Sequence, residues 1–118
     1  MIQTQTILKV ADNSGAKTAK CIKILTPKSY ASVGDCILVS IRSVRGNTVQ
    51  KGQIYKALVI RTKKSRSVYG LRFSFMDNEI VLINNQGNLI GSRIFGSITR
   101  DLRARNYRKI ISQSKRVL

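Results

Sequence analysis

Asp35-Cys36-Ile37-Leu38-Val39-Ser40-Ile41-Arg42 alternates along its length. Ile37, Val39 and Ile41 fall on one side, and Cys36, Leu38, Ser40 and Arg42 on the other. A period of two is the mark of a strand with one buried face. Reading upstream, residues 6–11 place Leu8 and Val10 on one face and Ile7 and Lys9 on the other. Asp12-Asn13-Ser14-Gly15 is a turn signal, because Gly and Asn accept positive φ and Asp and Ser cap nearby backbone. Residues 17–25 resume as a strand with cations among apolar residues, and residues 26–34, with Pro27 and Gly34, form a loop. Downstream, Arg45-Gly46-Asn47 reads as the tip of a basic ribbon that Lys51-Gly52 closes. Residues 54–62 are the most β-prone run, and residues 63–70 read as a polar loop. Leu71, Phe73 and Phe75 share a face, the two Phe as core residues. Asp77-Asn78 turns the chain into a buried strand at 79–83, and residues 84–88 are a loop.

Five or more short strands at intervals of ~8–12 residues predict a small β-barrel or sandwich. Closure removes exposed edges, which suits a short chain. After Phe95-Gly96 the pattern changes. Residues 101–108 and 109–114 hold helix formers with apolar residues at helical spacing, Leu102 with Tyr107 and Ile110 with Ile111. They predict one or two short helices. The organisation is one domain over residues 1–118, a β part over about 1–96 and a helical part over about 97–118.

Charge narrows the function. The chain has 118 residues, 22 Lys+Arg, 5 Asp+Glu and no His, a net charge of +17. Small soluble domains usually carry a net charge of ~2–8. Such an excess repels itself and calls for a polyanion. Nucleic acid is the leading candidate, bound mainly through phosphates. An anionic membrane surface would favour a basic amphipathic helix, and no good one stands in the sequence. The longest apolar runs, 57–60 and 80–83, fall far short of the ~20 residues of a membrane span. A hydrophobic content of 42% excludes wholesale disorder.

Catalysis has little to work with. The absence of His removes the commonest general base and zinc ligand. Asp12, Asp35 and Asp77 sit at turns or strand ends, where backbone capping explains them, and Asp77 with Glu79 makes a weak pair. Cys21 and Cys36 lack CxxC spacing and read as two reduced thiols. No catalytic residue, metal site or cofactor is expected. No secretory or transit segment is recognisable, so the product is expected to be used where it is made or to be already mature. The glycines match neither GxGxxG nor a Walker A loop. Gly91-Ser92-Arg93-Ile94-Phe95-Gly96 has two readings. Either the glycines let the backbone approach a partner while Arg93 reaches out, or they make a tight connection with Phe95 in the core.

Tyr30, Tyr69 and Tyr107 lie in polar or basic segments where bases could stack. No basic-aromatic stripe exists, which favours recognition of folded RNA by shape, phosphate and 2′-hydroxyl contacts. Lys17, Arg42, Arg45, Lys51, Arg61, Lys63, Lys64 and Arg66 are the expected phosphate contacts. A free single-strand RNA-binding barrel is the second hypothesis and a nuclease the third. Isoleucine at 15 positions against a single Pro is the composition an A/T-rich genome produces, and it leans toward an organelle.

Several runs carry a resemblance: Met1-Ile2-Gln3, Val10-Ala11-Asp12-Asn13-Ser14-Gly15-Ala16 and Cys21-Ile22-Lys23, then Ala57-Leu58-Val59-Ile60-Arg61-Thr62-Lys63-Lys64. Gly70, Phe75, Asn78, Val81 and Leu82 continue it, followed by Gly91–Gly96, Thr99-Arg100-Asp101-Leu102-Arg103 and Lys109-Ile110-Ile111-Ser112. Across essentially its whole length the chain resembles the universal large-subunit ribosomal protein family called L-fourteen, in its bacterial and organellar form. It departs in a shorter loop before Gly70, in Tyr69, and around residues 45–50 and 113–118. The resemblance implies a mainly β fold: a five-stranded β-barrel with a basic β-ribbon and a small helical C-terminal part. It implies a non-enzymatic structural role in the large ribosomal subunit, bound to large-subunit rRNA near the subunit interface. Neighbouring ribosomal proteins, small-subunit rRNA across an intersubunit bridge and the ribosome-silencing factor are the implied partners. Ser92, Arg93, Arg100 and Lys109 fall on the implied partner and intersubunit surface. Location follows: the ribosome, in a mitochondrial matrix in preference to a bacterial cytoplasm.

Overall fold

The computed structural model describes residues 2–27, 29–46, 48–62, 66–68, 71–73, 78–91, 94–98 and 114–117. Nine strands follow in order: β1 (Ile7–Val10), β2 (Ala16–Ile24), β3 (Cys36–Val44), β4 (Ile54–Arg61), β5 (Arg66–Val68), β6 (Leu71–Phe73), β7 (Glu79–Ile83), β8 (Ile94–Ile98) and β9 (Ser114–Val117). Strands β1, β2, β3, β4 and β7 close into a barrel in that order. Its pairings are antiparallel except the last seam, where β7 runs parallel to β1 with Lys9 opposite Glu79 and Val10 opposite Ile80. The barrel expectation is met.

The alternation that predicted β3 is also what fills the barrel. Ile37, Val39 and Ile41 point inward with Leu8, Ala19, Cys21, Ala57, Val59, Ile80 and Leu82. Small residues on β2 and β4 face large ones on β3 and β7, so side chains fill the interior. Ile2 and Ala31 join this core and are themselves joined by paired backbone hydrogen bonds.

Residues 57–60 of β4 and 80–83 of β7 are buried on both faces, which is why they read as unbroken apolar runs. Their outward residues Leu58, Ile60, Val81 and Ile83 pack under Ala11, Val33 and Ile94 in a second cluster. A bulge lies between Cys21 and Lys23 on β2. Such an extra residue breaks the alternation, and Ile22 and Lys23 are both exposed in succession.

Three expectations change. Residues 66–68, read as loop, form β5 and pair with β6 in a two-stranded ribbon, Ser67 opposite Arg72. The polar sequence there carries no apolar alternation, so only the partner strand reveals it. Second, residues 45–46 and 48–52 bend and turn rather than continue a ladder. β3 and β4 pair from Cys36↔Leu58 to Ser40↔Ile54, and Ile41 then bonds to Gly52 and Gln53. Third, Ser97 and Ile98 lie in β8 and Ser114–Val117 in β9, within the stretch expected to be helical. These strands pair in parallel, and tertiary pairing overrides local propensity there. The expected helices at 101–113, together with Phe75, lie outside the described residues.

Candidate nucleic-acid interface

The turn after β1 organises one end of the barrel. Asp12 is buried, and its carboxylate accepts hydrogen bonds from the Ser14 N–H at 3.1 Å and from the Leu82 N–H at 3.0 Å, far along the chain on β7. Gly15 adopts φ 100°, a conformation that favours glycine. The Gly15 carbonyl accepts from the Arg45 N–H at 2.7 Å, so the loop after β3 is fastened to the turn before β2.

This junction gathers cations from distant positions. Lys17 follows Ala16, which pairs with Val44 beside Arg45. Arg42 lies two residues before Val44, and Lys51 is in the turn whose Gly52 N–H bonds back to Ile41 at 2.8 Å. Lys17, Arg42, Arg45 and Lys51 are all exposed. The acid nearest in the chain, Asp12, is turned inward, so the end presents positive charge to solvent. Four cations on a backbone held by hydrogen bonds form a surface that can neutralise several phosphates at once.

Arg61 is placed differently from its expectation. It is only 6% exposed; its guanidinium pairs with the Glu79 carboxylate and donates to the Phe95 carbonyl. Burial lowers its pKa from the ordinary arginine value. A guanidinium stays protonated nonetheless, so this is a charged clamp from β4 to β7 and β8. The phosphate contact expected of Arg61 gives way to that internal role. A bulge between Val59 and Arg61 breaks the alternation of β4 and sets Arg61 opposite Glu79 on the outer face, beside β8.

Arg66 lies in β5, in register with Phe73. Lys63, Lys64, Ser92, Arg93, Arg100 and Lys109 lie outside the described residues, as do Tyr69 and Tyr107. Tyr30 is 40% exposed. Of the two readings of Gly91–Gly96, the one that put Phe95 in the core is overturned. Ile94 is buried in the second cluster and Phe95 is 48% exposed. Gly91 does serve a close approach, to the chain's own turn. A Cβ there would stand 2.5 Å from Asn13 Oδ1 and 3.1 Å from the Ser14 nitrogen. The Phe95 N–H then bonds to the Ala11 carbonyl at 2.7 Å, which lays β8 along the barrel.

Asp35, like Asp12, serves its own backbone, accepting from the Ser32 N–H at 2.9 Å. Cys21 is buried inside the barrel, and Cys36, half-buried, lies on the opposite side of the sheet. Burial raises the Cys21 pKa above its ordinary value, partly opposed by a backbone hydrogen bond from Lys23. Among the described residues no three of His, Cys, Asp and Glu come together as metal ligands.

Compared with known families, the chain matches the model described as ribosomal protein L14p/L23e over residues 1–118.

Proposed function

From the premise that the chain belongs to the ribosomal protein L14p/L23e family, and so is a structural constituent of the large ribosomal subunit, we propose how it is held there. The barrel end bearing Lys17, Arg42, Arg45 and Lys51 binds large-subunit rRNA through phosphates, with Lys63, Lys64 and Arg66 extending the contact. The observation that carries this reading is the Gly15 carbonyl–Arg45 N–H bond, which fixes the loop bearing Arg45 beside the start of β2, where Lys17 stands. A structural rRNA ligand needs no chemistry, and no catalytic step is assigned.

The C-terminal segment with Ser92, Arg93, Arg100 and Lys109 faces the subunit interface. There it contributes to a bridge with small-subunit rRNA and to contacts with neighbouring ribosomal proteins, and it is the docking surface of the ribosome-silencing factor. The isoleucine-rich, proline-poor composition supports a mitochondrial matrix as the setting.

The experiment is incorporation of a Lys17→Glu, Arg45→Glu, Lys51→Glu variant into large subunits, with salt-dependent retention as readout. Each phosphate contact adds about one unit to the slope of log affinity against log salt, so the variant loses about three units. An unchanged slope rules this surface out. Charge reversal at Lys63 and Lys64 together is expected to weaken incorporation as well. Arg93→Ala leaves incorporation intact and weakens a pull-down with the silencing factor; equal binding removes Arg93 from that surface.

A further inference from the structure

The outer wall of the barrel is covered unevenly. Over β4 and β7 it lies under Val33 and Ile94. Across β1 to β4 the register sets Ile7 beside Lys20, Lys20 beside Ser40, and Ser40 beside Ile54, a row that crosses four strands. These positions face outward, opposite in parity to the core residues Leu8, Val39 and Ala57. Ile7 is 54% exposed and Ile54 is 62% exposed, the largest values among the exposed large hydrophobics. In the next row the bulge delivers Ile22 and Lys23 together, beside Leu38 and Lys56. Strands β1 to β4 contain no Asp or Glu.

We propose that this face of β1–β4 seats one acidic, aliphatic-bearing segment of another protein, a site separate from the cationic end assigned to rRNA. Phosphates would satisfy Lys20, Lys23 and Lys56 but offer nothing to three exposed isoleucines, whose burial needs apolar partners. Lysine stems extend an apolar surface between the isoleucines while their charged heads select carboxylates. The dimensions set the size of the occupant. Three inter-strand steps of ~4.8 Å make a strip about 14 Å wide, enough for one helix or strand. A whole-domain interface of ~800 Å² per partner would need more. The inference rests on the assignment of the chain to the large ribosomal subunit.

The test places a photo-cross-linking residue at the centre of the row, Ser40→p-benzoylphenylalanine, in chains assembled into intact large subunits. The expected result is an adduct with a protein segment rich in Asp or Glu and in aliphatic residues. Lys20→Glu with Lys56→Glu, or the gentler Lys20→Gln with Lys56→Gln, is expected to lower its yield at least about fivefold with incorporation unchanged. Ile7→Ser with Ile54→Ser is expected to lower it comparably. An adduct with rRNA, or no adduct in subunits that contain the chain, overturns the proposal and leaves the large-subunit assignment standing. Absence of the chain from large subunits overturns both.

Discussion

Arg61 and Glu79 stand opposite each other on β4 and β7, and the guanidinium that meets the carboxylate also donates to the Phe95 carbonyl on β8. One side chain thus ties the barrel wall to the strand that leads into the C-terminal segment. Removing one partner of a buried pair costs ~3–5 kcal/mol, because the remaining charge is left without compensation. Glu79 keeps 21% side-chain exposure, so Glu79→Gln is expected to cost about 3 kcal/mol, at the lower end of that range. Denaturant unfolding measures the loss. Hydrogen exchange at β8 is expected to quicken more than at β3, since the clamp holds β8 and does not touch β3.

Asp12 makes a second link, from the turn after β1 to the Leu82 N–H. Asp12→Ala strands that buried donor and the Ser14 N–H, and the expected cost is ~2–4 kcal/mol from two unmet groups. Asp12→Asn keeps one acceptor oxygen but sets an NH2 donor against the N–H that the other oxygen served, and is expected to lose less than Asp12→Ala does. Thermal unfolding of the two variants checks the order.

At Gly91 the expected effect is steric. A methyl group there meets Asn13 Oδ1 at 2.5 Å and the Ser14 backbone behind it, so the turn must yield. Gly91→Ala is expected to cost ~1–3 kcal/mol, the range for overpacking. Asn13→Gly in the same chain removes the nearest atom and is expected to restore part of the loss. A double-mutant cycle reads the coupling directly.

Cys21 gives a pH dependence with a definite sign. Its thiol pKa is raised by burial in the fold, so the neutral form is favoured there. That contribution is present below the unfolded pKa and is lost as pH rises toward the folded value. Stability is therefore expected to fall above pH ~8.5, with a slope of up to ~1.4 kcal/mol per pH unit from this group. Cys21→Ala lowers stability at neutral pH by leaving a small void and removes that part of the alkaline slope. Denaturant midpoints from pH 7 to pH 10 check it.

The alternating strands were legible in the chain because a period of two leaves a mark on every residue. Ile37, Val39 and Ile41 name their own inward face. In the ribbon only β6 left such a mark, in Leu71 and Phe73, while Arg66-Ser67-Val68 of β5 has no apolar alternation to show. The cationic end was legible as a list of charges but not as a place. Lys17 and Arg45 are brought together by one backbone bond at Gly15, and no local pattern announces a contact between separate loops. Arg61 shows the opposite failure. Charge density grouped it with Lys63, Lys64 and Arg66, while a bulge after Val59 turned it toward Glu79 and β8.

The parallel seam between β1 and β7 governs when the molecule can be completed. β7 inserts between β1 and β4, strands made much earlier during synthesis. Until residue 83 has emerged, the nascent chain holds an open four-stranded meander with two bare margins, each a template for stray pairing. Such a late-arriving stave makes closure slow relative to a meander alone, because its partner lies some seventy positions upstream. Newborn copies are therefore most in need of chaperone protection after β4 has appeared and before β7 has.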